Sequence, residues 1–117
     1  MDNCLFCKIV RGEVPAKKLY EDPEVLAFYD IRPQAPVHFM LIPKKHIDSL
    51  ADVSVEDAGM LGRLFALSGR LARENGSPDG FRTIVNTGRI GRQEVMHLHV
   101  HVIGGPEVLG PMLPRAH

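Results

Sequence analysis

Residues 97–103 read His-Leu-His-Val-His-Val-Ile, so that histidine and apolar side chains alternate. Period-two alternation is typical of a β-strand, because successive side chains of a strand point to opposite faces of its sheet. The pattern predicts one strand over 95–103, with His97, His99 and His101 on one face and apolar side chains on the other. The apolar face can pack on a core, and the three imidazoles then line either a cleft or solvent.

Length and composition limit the classes of protein that this chain can form. With 117 residues, 44% of them hydrophobic, the chain has a common size for one domain with a single core, so we expect one domain over 1–117. Fourteen basic and fourteen acidic side chains cancel, so neither nucleic acid nor an anionic membrane is an expected partner. The sequence predicts no signal peptide and no transmembrane segment, and a cytoplasmic location is expected.

The rest of the chain predicts four more strands and two helices. The predicted strands cover 17–21, 25–30, 37–43 and 81–86, the short helix covers 4–10, and the long helix runs from Ser54 to Gly76. Strands joined by short turns, with one long helix between the third and the fourth, predict an α+β fold: an antiparallel sheet with the helix on one face. The histidines would lie on the other face or at its rim. The Pro/Gly-rich tail over 104–117 has no periodicity.

Three imidazoles on one strand face point to chemistry, whereas isolated histidines such as His38, His46 or His117 are usually structural or exposed. One interpretation is a metal site made by the three alone, although neighbouring positions on one strand do not converge on a tetrahedral ion without help. The other is a nucleophilic site. An imidazole with an unperturbed pKa near 6.5 is largely neutral at pH 7, so one ring nitrogen can attack while the other donates to an acceptor that holds the ring.

The histidine pattern and its surroundings resemble the histidine triad (HIT) superfamily, and within it the Hint branch of bacterial type. The matching segments are 4–9, 14–16, 27–31, 33–38, 42–46, 85–86, 97–103 with Gln93 before them, 104–105 and 109–113. The resemblance covers nearly the whole chain. It implies the HIT-like fold, a five-stranded antiparallel sheet with one long and one short helix, and a homodimer in which the sheet continues across a two-fold axis.

The resemblance also implies a reaction. In this family the middle histidine attacks the α-phosphorus of a purine nucleoside phosphoramidate or an aminoacyl nucleotide, and the nucleotidyl-histidine is then hydrolysed to the nucleoside monophosphate. His99 would be that nucleophile. His101 would contact the phosphate and the leaving group, and His97 would orient the site.

Further residues match the family's nucleotide-binding positions. Asp30 matches the carboxylate that accepts both ribose hydroxyls, and Asn86 matches a polar group near the phosphate and the ribose. The apolar walls around the purine correspond to Leu5, Phe6, Ile9, Phe28 and Ile31. The phosphate-binding segment corresponds to Gln93, Glu94 and Val95.

Two residues of the phosphate-binding region depart from the family pattern. Arg92 stands where many Hint members have glycine, and Glu94 where many have serine. Arg89 and Arg92 either favour extended anionic substrates or belong to a solvated loop.

Cys4 and Cys7 alone could be a metal knuckle, a redox pair or two incidental thiols. Through the resemblance they join His46 and His97 in a Cys₂His₂ set that suits a structural zinc ion, and zinc is the expected cofactor, with no organic cofactor. The alternative is two thiols without metal.

Two other functions stay open from the sequence. One is the dinucleoside polyphosphate hydrolase or nucleotidyl transferase activity of other HIT branches, which uses the same nucleophile with a different leaving group. The other is a nucleotide-binding regulatory module with little catalysis.

Overall fold

The computed structural model describes residues 3–113, so the end of the tail, including His117, lies outside the described residues. Its helices are α1 (Leu5–Val10) and α2 (Ala58–Glu74), and its strands are β1 (Lys18–Glu21), β2 (Val25–Tyr29), β3 (Val37–Pro43), β4 (Arg82–Ile84) and β5 (Val100–Gly104). Two 3₁₀ turns, Leu50–Asp52 and Val55–Asp57, precede α2.

The five strands form one antiparallel sheet in the order β1-β2-β3-β5-β4. The predicted α+β fold, with one long helix between the third and fourth strands, is confirmed. Strand β3 covers the predicted residues, and it ends at Pro43, whose nitrogen cannot donate to the ladder. Among the described residues, no helix is long and apolar enough to cross a membrane.

Helix α2 covers one face of the sheet with an apolar stripe. Its turns place Met60, Leu64, Leu67 and Leu71 against alternate residues of β3 and β5, among them Phe39 and Val100. The chain enters the helix through a capping box formed by Ser54 and Asp57, as the sequence predicts, although the first turn is 3₁₀ and the α-helix begins at Ala58.

The opposite face of the sheet is covered by α1, and predicted site residues such as Phe6 and Phe28 lie on this side. Phe6 and Ile9 of α1 pack on Leu26 and Phe28 of β2 and on Met40 and Ile42 of β3. The predicted short N-terminal helix is therefore confirmed, and it forms a second, smaller core against the histidine side of the sheet.

The predicted histidine strand is too long at its start. Strand β5 begins at Val100, so His97 and His99 lie in the loop before it. Leu41 is the last residue of β3 paired with β5, opposite Val100, and two positions further on the register would join Pro43 to Leu98, where proline offers no N–H. Leu98 N–H donates to Ile47 O at 2.7 Å. The fourth strand is likewise shorter than predicted, since it covers only Arg82–Ile84.

Candidate active site

A cleft of about 570 Å³ opens between α1, the loop after β2 and the loop before β5. The predicted site residues that line it are Leu5, Phe6, Asp30, Ile31, Asn86, Glu94, Val95, His99 and His101. The sequence therefore indicates most of the lining, including residues that are far apart along the chain.

Three of the predicted nucleotide-binding residues do not line the cleft. Ile9 and Phe28 are buried in the second core behind it, and Phe28 meets the ring of Phe6 edge to face at 5.4 Å between centroids. The Gln93 side chain donates to Asp48 O at 2.7 Å and to Val95 O at 2.9 Å. These residues support the lining from behind.

Four lining residues are not among the predicted site residues: Arg32, Gln34, His38 and Met40. Arg92, which the sequence places in the phosphate-binding region, also lines the cleft. A signal for His38 and Met40 existed, because both alternate on β3 with residues that face α2 and so point to the side of the sheet that carries His101. The two loop residues Arg32 and Gln34 follow no periodic pattern, so the sequence offered nothing comparable for them.

His99 is held in one orientation by the backbone of its neighbour. Its Nδ1 lies 2.8 Å from His97 O, and because a carbonyl only accepts, Nδ1 carries the hydrogen and donates it. The Nε2 atom is then left with a free lone pair. This is the tautomer that a nucleophilic imidazole needs.

His101 is fixed by a chain of hydrogen bonds that begins at the Gln34 backbone. Gln34 N–H donates to His38 Nδ1 at 3.0 Å, so a neutral His38 carries its hydrogen on Nε2. That Nε2 donates to His101 Nδ1 at 2.9 Å, and it also lies 3.4 Å from Asp30 Oδ2. His101 consequently carries its own hydrogen on Nε2.

Burial keeps these two imidazoles neutral. It lowers the pKa of His101 to about 4, with the His99 and His38 imidazoles acting in the same direction, while Asp30 and Glu94 oppose the shift. Burial also lowers the pKa of His38. The tautomers derived from the hydrogen bonds therefore apply near neutral pH.

The side of the cleft next to His99 is apolar. The ring of Phe6 meets the His99 imidazole edge to face at 5.2 Å between centroids, and Leu5 and Ile31 are exposed at the cleft. A flat aromatic group can be covered by such side chains, while Asp30 offers a carboxylate nearby. Asp30 Oδ1 accepts from Arg32 N–H at 2.7 Å, which fixes its rotamer.

Behind His99, the structure brings together all four predicted metal ligands. Cys4 Sγ and Cys7 Sγ lie 3.3 and 3.5 Å from His97 Nδ1, and Cys7 Sγ lies 3.2 Å from His46 Nδ1. Ligand bonds of about 2.3 Å to sulfur and 2.0–2.1 Å to nitrogen place neighbouring ligands of a tetrahedral zinc ion roughly 3.5 Å apart. The cluster therefore fits a zinc ion.

The two histidines of this cluster have their other nitrogens occupied. His97 Nε2 donates to Pro43 O at 2.8 Å, and His46 Nε2 lies 2.6 Å from Asp48 Oδ1. Each ring therefore carries its hydrogen on Nε2 and turns the Nδ1 lone pair toward the sulfurs. A hydrogen-bonded partner behind a metal-binding imidazole is the usual arrangement in metal sites.

A second group, Asp30, His38 and His101, also lies within ligand distances. Its two imidazole nitrogens are 2.9 Å apart, whereas two nitrogens bound to one zinc ion would be roughly 3.3 Å apart. A shared hydrogen accounts for this contact, so we interpret the group as a hydrogen-bond network.

These features define a class: an α+β domain with a histidine-lined cleft on the outer face of its sheet and a cysteine and histidine cluster behind that cleft. A family model described as the HIT domain matches residues 11–108. The chain belongs to the HIT family, as the sequence resemblance predicts.

Individual relatives match almost the full chain. Purine nucleoside phosphoramidase of Escherichia coli K12 is 45% identical over 113 residues, which cover 96% of this chain and 94% of the relative. The crystal structure of a HIT family hydrolase from Legionella pneumophila Philadelphia 1 has a TM-score of 0.87 at 45% identity and covers 93% of this chain and 98% of its own. A zinc-bound histidine triad family protein from Mycobacterium smegmatis has a TM-score of 0.77 at 36% identity, over 89% of this chain and 76% of its own.

Proposed function

We propose that this protein is a hydrolase that cleaves the P–N bond of purine nucleoside phosphoramidates, or the acyl phosphate bond of aminoacyl-adenylates, and releases the nucleoside monophosphate. The observation that carries the proposal is the His99 tautomer, in which Nδ1–H is bonded to His97 O and the Nε2 lone pair is free. The Escherichia coli relative at 45% identity is named for this activity.

The first step is attack by His99 on phosphorus. The Nε2–P bond forms and the P–N bond breaks, with the electron pair going to the leaving nitrogen. The His99 ring becomes cationic in this step, and its Nδ1–H bond to His97 O stabilises the charge.

His101 supplies the proton that the leaving nitrogen needs. Burial keeps its imidazole neutral in the free protein. A bound phosphoryl anion favours uptake of one proton from solvent at His101 Nδ1, because opposite charges attract, and the hydrogen bond from His38 to that nitrogen then breaks. The Nε2–H of His101 is turned away from His38 and is the hydrogen that can be transferred.

The second step is hydrolysis of the nucleotidyl-histidine. His101, now neutral, takes a proton from a water molecule as its oxygen bonds to phosphorus, and the Nε2–P bond breaks. The products are the nucleoside monophosphate and free His99. During both steps we place the ribose hydroxyls on Asp30, since a carboxylate with two acceptor oxygens suits a vicinal diol.

We also propose that zinc is held by Cys4, Cys7, His46 and His97. When bound, zinc would contribute structural stabilisation, because four protein ligands close its coordination shell. Residues Leu5 and Phe6, which line the cleft, lie between the two cysteines. Zinc would thus fix the apolar wall of the cleft and the carbonyl that orients His99.

We further propose a homodimer. Strand β4 is an edge of the sheet, and Phe65 of α2 and Phe81 before β4 are 40% and 39% exposed. Phe81 packs on α2 at Gly69, since a methyl group added at Gly69 would lie 3.8 Å from the Phe81 ring. Pairing of two β4 edges would cover this surface. Light scattering should give twice the chain mass, and a monomer mass would contradict the proposal.

One comparison tests the reaction. The protein is mixed in turn with an adenosine phosphoramidate, a lysyl-adenylate and a diadenosine polyphosphate, and AMP release is measured for the wild type and for His99→Ala. We expect release from the first two, with a loss of at least a thousandfold in kcat/KM for the variant. Preference for the polyphosphate would favour the activity of another HIT branch, and no AMP release would favour a binding module.

Trapping the intermediate tests the same reaction independently of rates. Acid quenching during turnover should leave the peptide that contains His99 heavier by one adenylyl group. Unmodified peptide under conditions of rapid product formation would contradict nucleophilic catalysis by His99.

A further inference from the structure

The loop over residues 87–93 is a rigid turn. Gly91 N–H donates to Thr87 O at 3.1 Å and Gln93 N–H donates to Gly88 O at 3.0 Å, while the Gln93 side chain accepts from Gly88 N–H at 2.9 Å. The other end of the Gln93 amide is anchored on the backbone at Asp48 and Val95. The backbone positions within the loop are therefore fixed by bonds on both sides.

Arg92 adopts a backbone conformation in this loop that favours glycine. Its φ of 60° is the only positive φ of a non-glycine residue among those that the structure describes, and such a conformation is unfavourable for a side chain with a Cβ atom. The neighbouring Gly91 cannot be replaced, because a Cβ there would lie 2.6 Å from the Thr87 backbone. A strained residue retained next to a functional cleft suggests a role for its side chain.

Arg92 lines the cleft together with Glu94, His99 and His101, whereas Arg89 does not. In the described part of the chain, the Arg92 guanidinium has no ion pair and no side-chain hydrogen bond. Its five N–H donors are thus available to a ligand. The structure separates the two arginines of the loop, which the sequence alone left equivalent.

Arg92 lies on the side of the cleft where we place the leaving group. Asp30 and Ile31 come from the loop after β2, on which we place the nucleoside, while Arg92 and Glu94 come from the loop before β5. Glu94 is close enough to His101 to oppose the lowering of its pKa, and His101 is the proposed donor to the leaving nitrogen.

We propose that Arg92 is a specificity-determining residue that binds a carboxylate carried by the amine leaving group. The preferred substrates would then be nucleoside phosphoramidates of amino acids with a free carboxylate. This inference rests on the proposed hydrolysis of phosphoramidates, and it specifies which amine leaving groups the site prefers. A planar guanidinium can bind a carboxylate through two parallel hydrogen bonds, but Arg92 is exposed, so solvent and salt limit the effect.

The test compares two adenosine phosphoramidates that differ only in charge, one made with L-alanine and one with L-alanine methyl ester. We expect the wild type to favour the free acid about three- to tenfold in kcat/KM at low salt, in the range of a partly screened ion pair. Arg92→Gly, which suits a φ of 60°, should abolish this ratio, because kcat/KM should fall more for the free acid than for the ester. Arg92→Lys should retain part of the ratio.

Arg89→Ala is the matched control, because it removes the same charge from the same loop outside the cleft. It should keep the wild-type ratio. A thermal melt of Arg92→Gly should show an unchanged or raised midpoint, since the strained residue is replaced by glycine.

Each other outcome has a distinct meaning. Equal wild-type rates for acid and ester would overturn the inference alone. An equal fold loss for both substrates in Arg92→Gly, which keeps the ratio, would overturn it in favour of contact with the phosphate itself. An equal loss of the ratio in Arg89→Ala would overturn it in favour of a general field of the loop. Hydrolysis of neither substrate by the wild type would overturn the proposed function and this inference with it.

Discussion

His38 Nε2 lies 2.9 Å from His101 Nδ1, and this contact sets which nitrogen of His101 carries the hydrogen. The His38 ring is itself set by Gln34 N–H. The Gln34 backbone amide therefore determines, through the His38 and His101 rings, which nitrogen of His101 offers a proton inside the cleft.

We predict that His38→Leu lowers kcat about tenfold to a hundredfold with little change in KM, because His101 can then adopt either tautomer. His38→Gln, which can still donate a hydrogen bond, should recover part of the loss. The measurement is the steady-state rate with an adenosine phosphoramidate, together with its pH profile. A loss of kcat equal in both variants would contradict a positioning role.

Replacing Asp30 with Asn should remove the recognition of ribose. An amide has one acceptor oxygen where the carboxylate has two, and it has no charge. The dissociation constant for AMP should rise about tenfold or more, as expected for a lost charge-assisted hydrogen bond. The constant for 2′,3′-dideoxy-AMP should change little. Titration calorimetry with both nucleotides checks this, and an equal weakening of both would count against the assignment.

Zinc removal should destabilise the protein and loosen its nucleotide site. Burial raises the pKa of Cys7 to about 11, with Cys4 acting in the same direction, so binding of zinc displaces a proton and should weaken as the pH falls. Asp48→Asn retains all four ligands but changes the acceptor behind His46, and its zinc affinity should fall about tenfold to a hundredfold.

The zinc prediction is checked by metal content, zinc affinity and thermal midpoint, each measured with and without a chelator. Zinc far below one equivalent per chain in protein purified without added metal would contradict the site. A midpoint that does not respond to the chelator would contradict its structural role.

Acid should destabilise the fold partly through His101. Burial lowers the pKa of His101 from 6.5 to about 4, so between these values the unfolded chain binds more protons than the folded one. The contribution of His101 to the free energy of unfolding should therefore be fully present above pH 6.5 and should be lost as the pH drops toward 4. The loss from this group should reach up to about 3 kcal/mol. Urea unfolding of the wild type and of His101→Gln at several pH values isolates the contribution, and parallel pH curves would contradict it.

The core under α2 should be sensitive to truncation. Leu64 is fully buried against the sheet, and Leu64→Ala should lower the free energy of unfolding by about 2–5 kcal/mol. The exposed Val55 provides a control, since Val55→Ala should change it by less than about 0.5 kcal/mol. Equal effects in urea unfolding would contradict the packing of α2.

Local patterns in the sequence predict much of this fold. The apolar run of β3 ends at a proline, and the stripe of α2 begins at a capping box, so both elements follow from short-range chemistry. The alternation predicts a longer histidine strand than the structure has, because it continues through residues that lack ladder partners. Pairing depends on Pro43 of the neighbouring strand, which periodicity does not register.

The site was harder to predict where it depends on neighbours in space. The alternation predicts His97, His99 and His101 on one face, and only the family resemblance assigns them separate roles, with His97 also in the metal set. In the structure the His97 ring turns to the cysteines, while His99 and His101 line the cleft. His38 looked like an isolated histidine, and only the register of β3 against β5 brings it to His101.

The single helical turn that joins Cys4 to Cys7 fixes the distance between the two sulfurs and the direction of Phe6 between them. A residue inserted within it would shift a sulfur away from the imidazoles and rotate Phe6 away from His99 at the same time. Insertions and deletions should therefore be absent from this turn in functional variants, even where substitutions at Leu5 are tolerated. A change that disrupts the cysteine and histidine cluster should also disrupt the cleft, and the reverse should hold as well.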